Sequence, residues 1–294
     1  MKKVSTKSKA AEGLLYTVFL LCGVTAVGFV LCISIYLIVS GIPAIREIGL
    51  ADFLFGDKWQ STAKEPSFGI LPFILTSVYG TAGAVVIGVP IGLLTAVYLA
   101  KAAPKRIAGV IRGAVQLLAG IPSVVYGLVG MIVLVPAIQE WFSLPSGATM
   151  LAAIVVLAIM ILPSIINVST TALEAVPREY EEASMALGAT EMETFFKVSV
   201  PAAKSGIAAS IVLGVGRAIG EAMAIIMVSG NVANMPSLLS SVRFMTTAIT
   251  SEMSYASVGS LQRDALFSIG LVLFLFIMLI NVILNVFIKG RSSK

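Results

Sequence analysis

Long apolar segments alternate with short polar stretches along this chain of 294 residues. Six segments are long enough to cross a bilayer as a helix, which takes roughly 20 residues: residues 13–39, 68–100, 107–136, 148–168, 202–228 and 265–288. Because lipid offers no hydrogen-bond partners, a spanning segment must satisfy its own backbone groups, and a helix does so. The pattern therefore predicts an all-α integral membrane protein with six transmembrane helices and lipid around them.

The positions of the charged residues predict how these helices are oriented across the membrane. They make up only 12% of the chain, about half the share of a typical soluble domain. Lysines and arginines lie before the first segment, between the second and third, around the connection between the fourth and fifth, and at the carboxyl end, whereas residues 137–147 contain none. The positive-inside rule then places both termini and the connection between the fourth and fifth segments in the cytoplasm. The net charge of +5 is explained by this placement, so no nucleic-acid partner is predicted.

Four parts of the chain follow from this arrangement. Residues 1–12 form a cytoplasmic tail, and residues 13–67 form the first helix and an external loop. Residues 68–289 form a transmembrane domain of five helices, and residues 290–294 form a second tail. Aromatic side chains in the external loop, Phe53, Phe55 and Trp59, favour anchoring at the membrane interface.

A polar connection at residues 173–201 interrupts the transmembrane domain, and its part from Pro177 to Pro201 has the pattern of two short helices. Gly188 is suited to the left-handed conformation that ends a helix. Thr190, followed three residues later by Glu193, is a capping box that begins the second helix. The sequence therefore predicts a water-exposed helical hairpin beside the membrane.

The same hairpin resembles the EAA loop of ABC importer permeases. That family has Glu-Ala-Ala, three residues, Gly, nine residues and Ile-x-Leu-Pro; this chain has Glu182-Ala183-Ser184, then Gly188, then Val198-Ser199-Val200-Pro201. The spacings agree, and Ser184, Val198 and Val200 depart in residue type. In that family the loop docks into a groove of the ATPase subunit. The resemblance thus implies an ATPase-coupling role for Glu182, Ala183, Gly188, Phe195, Phe196 and Pro201.

Two charged residues, Arg217 and Glu221, lie near the middle of the fifth segment. A charge at the bilayer centre costs roughly 2.5–3.5 kcal/mol on insertion scales and often marks a substrate path. The two residues are four positions apart, on one face of a continuous helix, so they are expected to pair. A guanidinium group can bind a tetrahedral oxyanion through two hydrogen bonds, which favours an anion path. A purely structural ion pair is the alternative.

The third segment carries helix breakers, Gly120 and Pro122, followed by the hydroxyl side chains of Ser123 and Tyr126. Broken helices in membranes expose backbone groups only where they line protein or a water-filled cavity. We therefore expect Ser123 and Tyr126 to lie on the substrate path. A simple proline kink is the alternative.

Residues 119–127 and 216–224, together with Val228-Ser229-Gly230-Asn231, resemble the motifs of phosphate ABC importer permeases. The N-terminal third looks like the C-type subunit of those importers, although the proline expected after Trp59 is absent. The resemblance implies a type I ABC importer permease fold and passage of inorganic phosphate. It also implies three kinds of partner: a homologous second permease subunit, two copies of a cytoplasmic ATPase subunit, and an extracytoplasmic phosphate-binding protein.

Several classes of function are disfavoured by what the sequence lacks. There is no histidine, so no histidine-based metal site or catalytic triad can form. No segment matches the phosphate-binding loop of ATPases, so ATP hydrolysis is assigned to a separate subunit, and we expect no catalytic residue, cofactor or metal here. Cys22 and Cys32 would lie about 15 Å apart on one helix, too far for a disulfide. A permease for sulfate or molybdate, and a stand-alone secondary transporter or channel, remain as alternatives.

Overall fold

The computed structural model describes the backbone of residues 6–292 and the side chains of residues 15–283 and Val286. The first part of the chain forms α1 (Thr6–Ile48), α2 (Leu50–Phe55), β1 (Trp59–Gln60), β2 (Ser67–Phe68), α3 (Leu71–Val97), α4 (Lys105–Gly120), α5 (Ser123–Val129), α6 (Val135–Trp141) and α7 (Met150–Glu174). The second part forms α8 (Arg178–Ala186), α9 (Glu191–Thr194), α10 (Val200–Ala202), α11 (Lys204–Gly220), α12 (Met223–Val228), α13 (Met245–Glu252) and α14 (Leu261–Ser292). Three π-helical turns extend or join these helices: Tyr98–Ala102, Gly130–Leu134 and Phe195–Ser199.

The predicted all-α membrane fold is confirmed. Within the described residues, five helical stretches are long and apolar enough to span a membrane: Leu15–Ile48, Leu71–Ala102, Ser123–Trp141, Met150–Glu174 and Leu261–Ile283. A sixth candidate is a pair of helices, Glu191–Ala202 and Lys204–Gly220, which are bent by 71° relative to each other.

Two predicted spans have different boundaries. The segment 107–136 is not one span, because α4 ends at Gly120 and the backbone is extended at Ile121 and Pro122 before α5 begins. Proline disfavours the helical conformation of the residue before it and has no N–H of its own to donate. The segment 202–228 is also interrupted, because α11 ends at Gly220 and the backbone is extended at Glu221.

The centre of the bundle is α7, which packs between α3 and α11. Glycines on α3 let the two helices approach closely, as small residues do at membrane helix interfaces. A Cβ added at Gly88 would lie 2.7 Å from Ile161 Cδ1, and one at Gly92 would lie 2.8 Å from Ile165 Cγ2. Large side chains of α7 therefore fit directly against the backbone of α3.

The carboxyl-terminal part of the long α1 packs beside the amino-terminal part of α14. Tyr36 makes an edge-on contact with Phe267, with 5.6 Å between the ring centroids, and Ser268 Oγ donates a hydrogen bond to the Gly41 carbonyl. The apolar side chains of residues 15–31 are exposed in this single chain. A helix that is apolar on all sides is suited to contact with lipid or other spans.

The end of the bundle opposite the α8–α9 hairpin is closed by the β1–β2 pair and α13. Trp59 is buried against Phe68 and Phe73, and Phe53 is fully buried. The expectation that these aromatics anchor at the membrane interface is wrong for Phe53 and Trp59, since both pack into the protein. Phe55 is exposed.

Candidate functional site

The two broken helices meet inside the bundle. α5 packs against α12, and a Cβ added at Gly127 would lie only 2.8 Å from the Cα of Ala224. The interruptions at Ile121–Pro122 and at Glu221 therefore belong to neighbouring elements. Such paired discontinuities are the usual setting of substrate sites near the middle of transport proteins.

Tyr126 spans the first interruption. Its hydroxyl donates a 2.7 Å hydrogen bond to the carbonyl of Leu118, at the end of α4. The same carbonyl also accepts the backbone N–H of Ile121 at 3.3 Å, so the side chain of Tyr126 adds a second bond at the end of α4. Tyr126 thus lies at the first break, and Arg217 lies in the last turn of the helix before the second. Ser123 is half-buried at the first position of α5.

Glu221 makes two local hydrogen bonds at the second interruption. Its carboxylate accepts the backbone N–H of Ala224 at 3.1 Å, and its carbonyl accepts the hydroxyl of Thr246 at 2.8 Å. Glu221 therefore fixes the start of α12 and its contact with α13. None of the ion pairs within the described residues joins it to Arg217. The predicted pairing is wrong because the helix ends at Gly220, so the two residues no longer share a helix face.

Arg217 lies in the last turn of α11 and is half-buried. Among the described residues it makes no hydrogen bond or ion pair. Gly214 packs against Ile165, whereas a Cβ added at Gly216 or Gly220 would meet nothing within 4 Å. The helix face beside Arg217 is therefore open in the single chain.

The predicted hairpin is confirmed in its local details. Gly188 has a left-handed φ of +90°. The capping box is complete, since Glu193 N donates to Thr190 Oγ1 at 3.3 Å and Thr190 N donates to Glu193 Oε2 at 3.1 Å. The hydrogen bond from the Thr190 backbone and a further one from Lys197 lower the pKa of Glu193.

The predicted coupling residues do not share one surface. Glu182, Ala183, Gly188, Phe196 and Pro201 are all exposed. Phe195 was expected to join them, but only 8% of it is exposed, because it packs at the base of the hairpin.

Leu187 is an exposed apolar residue of the hairpin that the sequence analysis did not identify. It is 91% exposed at the tip of the hairpin. Its position immediately before the turn glycine could have identified it. Tyr180, Met185 and Met192 are also exposed apolar side chains of the hairpin.

A second missed residue, Glu181, connects the hairpin to the bundle. Its carboxylate forms an ion pair with Lys101 and accepts a 2.7 Å hydrogen bond from Ser199 Oγ. Partial burial alone would raise the pKa of Glu181, but the bonds from Lys101 and Ser199 outweigh it and hold the pKa below its ordinary value. The carboxylate is therefore charged over a wide pH range.

The sequence matches a protein family described as the binding-protein-dependent transport system inner membrane component, over residues 88–291. Relatives cover most of the chain. A probable ABC transporter permease, YqgH of Bacillus subtilis, is 39% identical over 267 residues, which are 88% of this chain and 86% of that protein. The phosphate transport system permease PstC of Haemophilus influenzae is 35% identical over 284 residues, 89% of this chain and 88% of that protein. PstC of Pasteurella multocida is 35% identical over 76% of this chain and 75% of its own length.

Solved structures share the fold at low sequence identity. A chain of a bacterial alginate ABC transporter superposes with a TM-score of 0.62 at 17% identity, covering 97% of this chain and 96% of that one. A chain of the inward-facing methionine transporter MetNI gives a TM-score of 0.60 at 19% identity, covering 75% of this chain and 95% of that one. The apolar spans, the hairpin and these matches together place the chain in the bacterial inner membrane as a multi-pass protein. The chain therefore belongs to the family of binding-protein-dependent transport system inner membrane components and is a permease subunit of an ABC importer.

Proposed function

We propose that this permease carries inorganic phosphate, as a C-type subunit. The observation that carries the proposal is the Arg217 guanidinium, which lies in the last turn of α11, directly before one of the two breaks, and has no carboxylate partner among the described residues. Relatives named as phosphate transport permeases, 35% identical over three quarters or more of the chain, support the choice of anion.

Arg217 is the residue that attracts the anion in this proposal. Its planar group can donate two parallel hydrogen bonds to one phosphate, which a lysine ammonium cannot reproduce. The hydroxyl of Ser123 is the additional donor on α5, and Tyr126, whose hydroxyl already donates to the Leu118 carbonyl, shapes the path at the break. Glu221 keeps the break in shape by capping α12, and its negative charge near the path limits how tightly an anion is held.

A second permease subunit completes the path. The face of α11 at Gly216 and Gly220 is open in this chain, and small residues of this kind allow another helix to approach closely. A homologous subunit is the proposed occupant. An extracytoplasmic phosphate-binding protein delivers the anion at the end of the bundle opposite the hairpin.

The hairpin is the proposed docking element for the ATPase subunit, of which two copies serve the two permeases. Leu187 and Phe196 supply exposed apolar side chains, and Glu182 and Ala183 are exposed on α8. ATP hydrolysis takes place in the ATPase subunits, and this chain makes and breaks no covalent bond.

Another tetrahedral oxyanion is the second candidate substrate. A guanidinium fork fits sulfate or molybdate as well as phosphate. Competition during uptake separates these anions, because only the true substrate competes at concentrations close to those of labelled phosphate.

The test is uptake of radiolabelled phosphate by cells that lack other phosphate importers but contain the partner subunits. We expect wild type to restore uptake, and both Arg217→Ala and Arg217→Lys to abolish most of it while remaining in the membrane. Arg46→Ala is the matched control, because Arg46 is exposed at the end of α1, in a different part of the bundle. Failure of wild type to move phosphate, or displacement of phosphate by sulfate or molybdate, would show that the substrate is another anion.

A further inference from the structure

Two of the three π-helical turns are linked to the same carboxylate. Lys101 belongs to the turn Tyr98–Ala102 at the end of α3, and Ser199 belongs to the turn Phe195–Ser199 after α9. Glu181, on α8, binds both side chains. π-helical turns inside α-helices often occur at functional sites.

The side chains of this three-residue junction are mostly buried, and Lys101 and Glu181 border the cavity described below. The side chains of Lys101 and Glu181 are only 10% and 16% exposed, and Ser199 is fully buried. Exposed ion pairs contribute little, whereas loss of one partner from a buried pair leaves an uncompensated charge at a high cost. The junction is therefore a firm connection between the hairpin and the second span.

The surroundings of the junction are not filled. A cavity of about 510 Å³ lies beside it, between the hairpin and the ends of the spans, lined in part by Ala100, Glu174, Val176 and Arg178. At this cavity the ion pair of Glu181 with Lys101 joins α8 to the turn at the end of α3. Within the hairpin, Thr194 Oγ1 donates to Ser184 Oγ at 2.9 Å and ties α9 to α8.

We propose that Glu181 is the positioning residue that transmits movement of the hairpin to the second span, through Lys101, and keeps the two halves of the hairpin in register through Ser199. The proposal rests on the proposed function, since it requires that an ATPase subunit moves the hairpin. Glu181 itself lies inside the junction rather than on the docking surface.

The experiment uses the purified complex of this chain with its partner permease, ATPase and binding protein, reconstituted in proteoliposomes. Phosphate transported per ATP hydrolysed is compared for wild type, Glu181→Gln, the charge exchange Lys101→Glu with Glu181→Lys, and Glu191→Gln. Glu191→Gln is the control, because Glu191 lines the same cavity from the same hairpin and takes part in none of the ion pairs of the described residues.

We expect Glu181→Gln to keep its ATPase subunit and its hydrolysis rate but to transport about tenfold less phosphate per ATP, within the range known for mutations along coupling networks. The charge exchange recovers a large part of this loss, and Glu191→Gln behaves as wild type. Equal transport per ATP in Glu181→Gln and Glu191→Gln would overturn the proposal. Loss of the ATPase subunit from Glu181→Gln would also overturn it, because Glu181 would then belong to the docking surface.

A second measurement needs no transported substrate. Hydrogen–deuterium exchange of the complex, with and without ATP, reports movement of the hairpin and of the turn Tyr98–Ala102 separately. In wild type we expect ATP to change exchange in both regions, and in Glu181→Gln in the hairpin alone. If wild type moves no phosphate but shows this difference, the substrate assignment fails and the role of Glu181 stands. If ATP changes both regions equally in Glu181→Gln, the role of Glu181 is wrong whatever the substrate.

Discussion

At the scale of single residues, Glu221 accepts two hydrogen bonds at the break between α11 and α12. Its carboxylate accepts the N–H of Ala224, and its carbonyl accepts the hydroxyl of Thr246. A side-chain acceptor at the start of a helix satisfies a donor that would otherwise have no partner. Glu221 thus determines where α12 begins, and with it the position of the helix that packs against Tyr126 and Gly127.

Two substitutions of Glu221 distinguish the contribution of its hydrogen bond to stability from that of its negative charge. Glu221→Ala removes the side-chain acceptor, one residue before the N-cap Ala222, and should lower the free energy of unfolding by about 1 kcal/mol, as the loss of a capping side chain does. Glu221→Gln keeps an acceptor oxygen and should unfold at nearly the wild-type temperature. Thermal unfolding in detergent measures both. Equal destabilisation by the two variants would mean that the negative charge, rather than the hydrogen bond, stabilises the break.

At the scale of elements, the hairpin presents some of its apolar side chains and buries others. Leu187 is at its exposed tip, whereas Phe195 packs at its base. The two residues therefore predict opposite effects. Leu187→Ala should weaken co-purification of the ATPase subunit and leave the unfolding temperature unchanged. Phe195→Ala should destabilise the hairpin by roughly 3–5 kcal/mol, as for other buried aromatics.

Both variants are checked by unfolding curves and by the amount of ATPase retained on the purified permease. Ala186→Ser, a small change at the neighbouring exposed position, serves as the control. If Leu187→Ala retains its ATPase fully, the tip of the hairpin is not the docking surface.

The junction of Glu181 with Lys101 and Ser199 should make the stability of the hairpin depend on pH. Its folded-state pKa is lowered by the hydrogen bonds from Lys101 and Ser199, against the opposing effect of burial. A lowered pKa means that the junction stabilises the hairpin fully above the ordinary glutamate pKa of 4.5 and loses this contribution as the pH falls through the folded-state pKa. Protection of residues 178–200 from hydrogen exchange, expressed relative to the intrinsic exchange rate at each pH, should therefore fall in acid for wild type, with a flatter profile for Glu181→Gln. An unchanged profile in that variant would show that other carboxylates dominate.

The sequence predicts the elements of this protein unevenly, for reasons that individual residues explain. The hairpin was predicted well because Gly188, Thr190 and Glu193 act on their immediate neighbours. The break before Ser123 was located by Pro122. The break at Glu221 was missed because no proline marks it, and an apolar sequence with glycines is compatible with a continuous membrane helix.

At the scale of the whole molecule, the number and type of the spans can be predicted from composition, but the contacts between residues far apart in the sequence cannot. Trp59 and Glu252 are 193 residues apart, and Trp59 Nε1 donates to Glu252 Oε1 at 2.9 Å. A contact between such distant positions leaves no local periodic signal. This is why Trp59 was interpreted as an interfacial anchor and why Glu181 with Lys101 was not found. Arg217 was identified from its burial cost alone, whereas its separation from Glu221 required the fold.

The carboxylate of Glu252 holds together the end of the bundle opposite the hairpin. It accepts hydrogen bonds from Trp59 and Ser61 of the β1–β2 region, from Arg243, and from Gln262 at the start of α14. Arg243 and Glu252 are about one-sixth exposed, at 17% and 15%. One side chain therefore connects a loop, α13 and α14.

Removal of the Glu252 carboxylate tests whether its hydrogen bonds hold the loop of residues 61–66 at the end of the bundle opposite the hairpin. Glu252→Ala leaves the Arg243 guanidinium without its anionic partner and should cost about 2–3 kcal/mol, somewhat less than the roughly 3–5 kcal/mol of a fully buried pair. Trp59→Phe keeps the aromatic packing but loses one hydrogen bond to a charged acceptor, so it should cost about 1.5–3 kcal/mol. Thermal unfolding in detergent gives both values, and protease cleavage between residues 61 and 66 reports release of the loop.

Glu140→Ala, at an exposed position of α6, is the control and should match wild type in both assays. If Glu252→Ala is as stable and as resistant to cleavage as Glu140→Ala, the loop is held by the packing of Trp59 against Phe68 and Phe73, and the carboxylate only completes hydrogen bonds that water could replace.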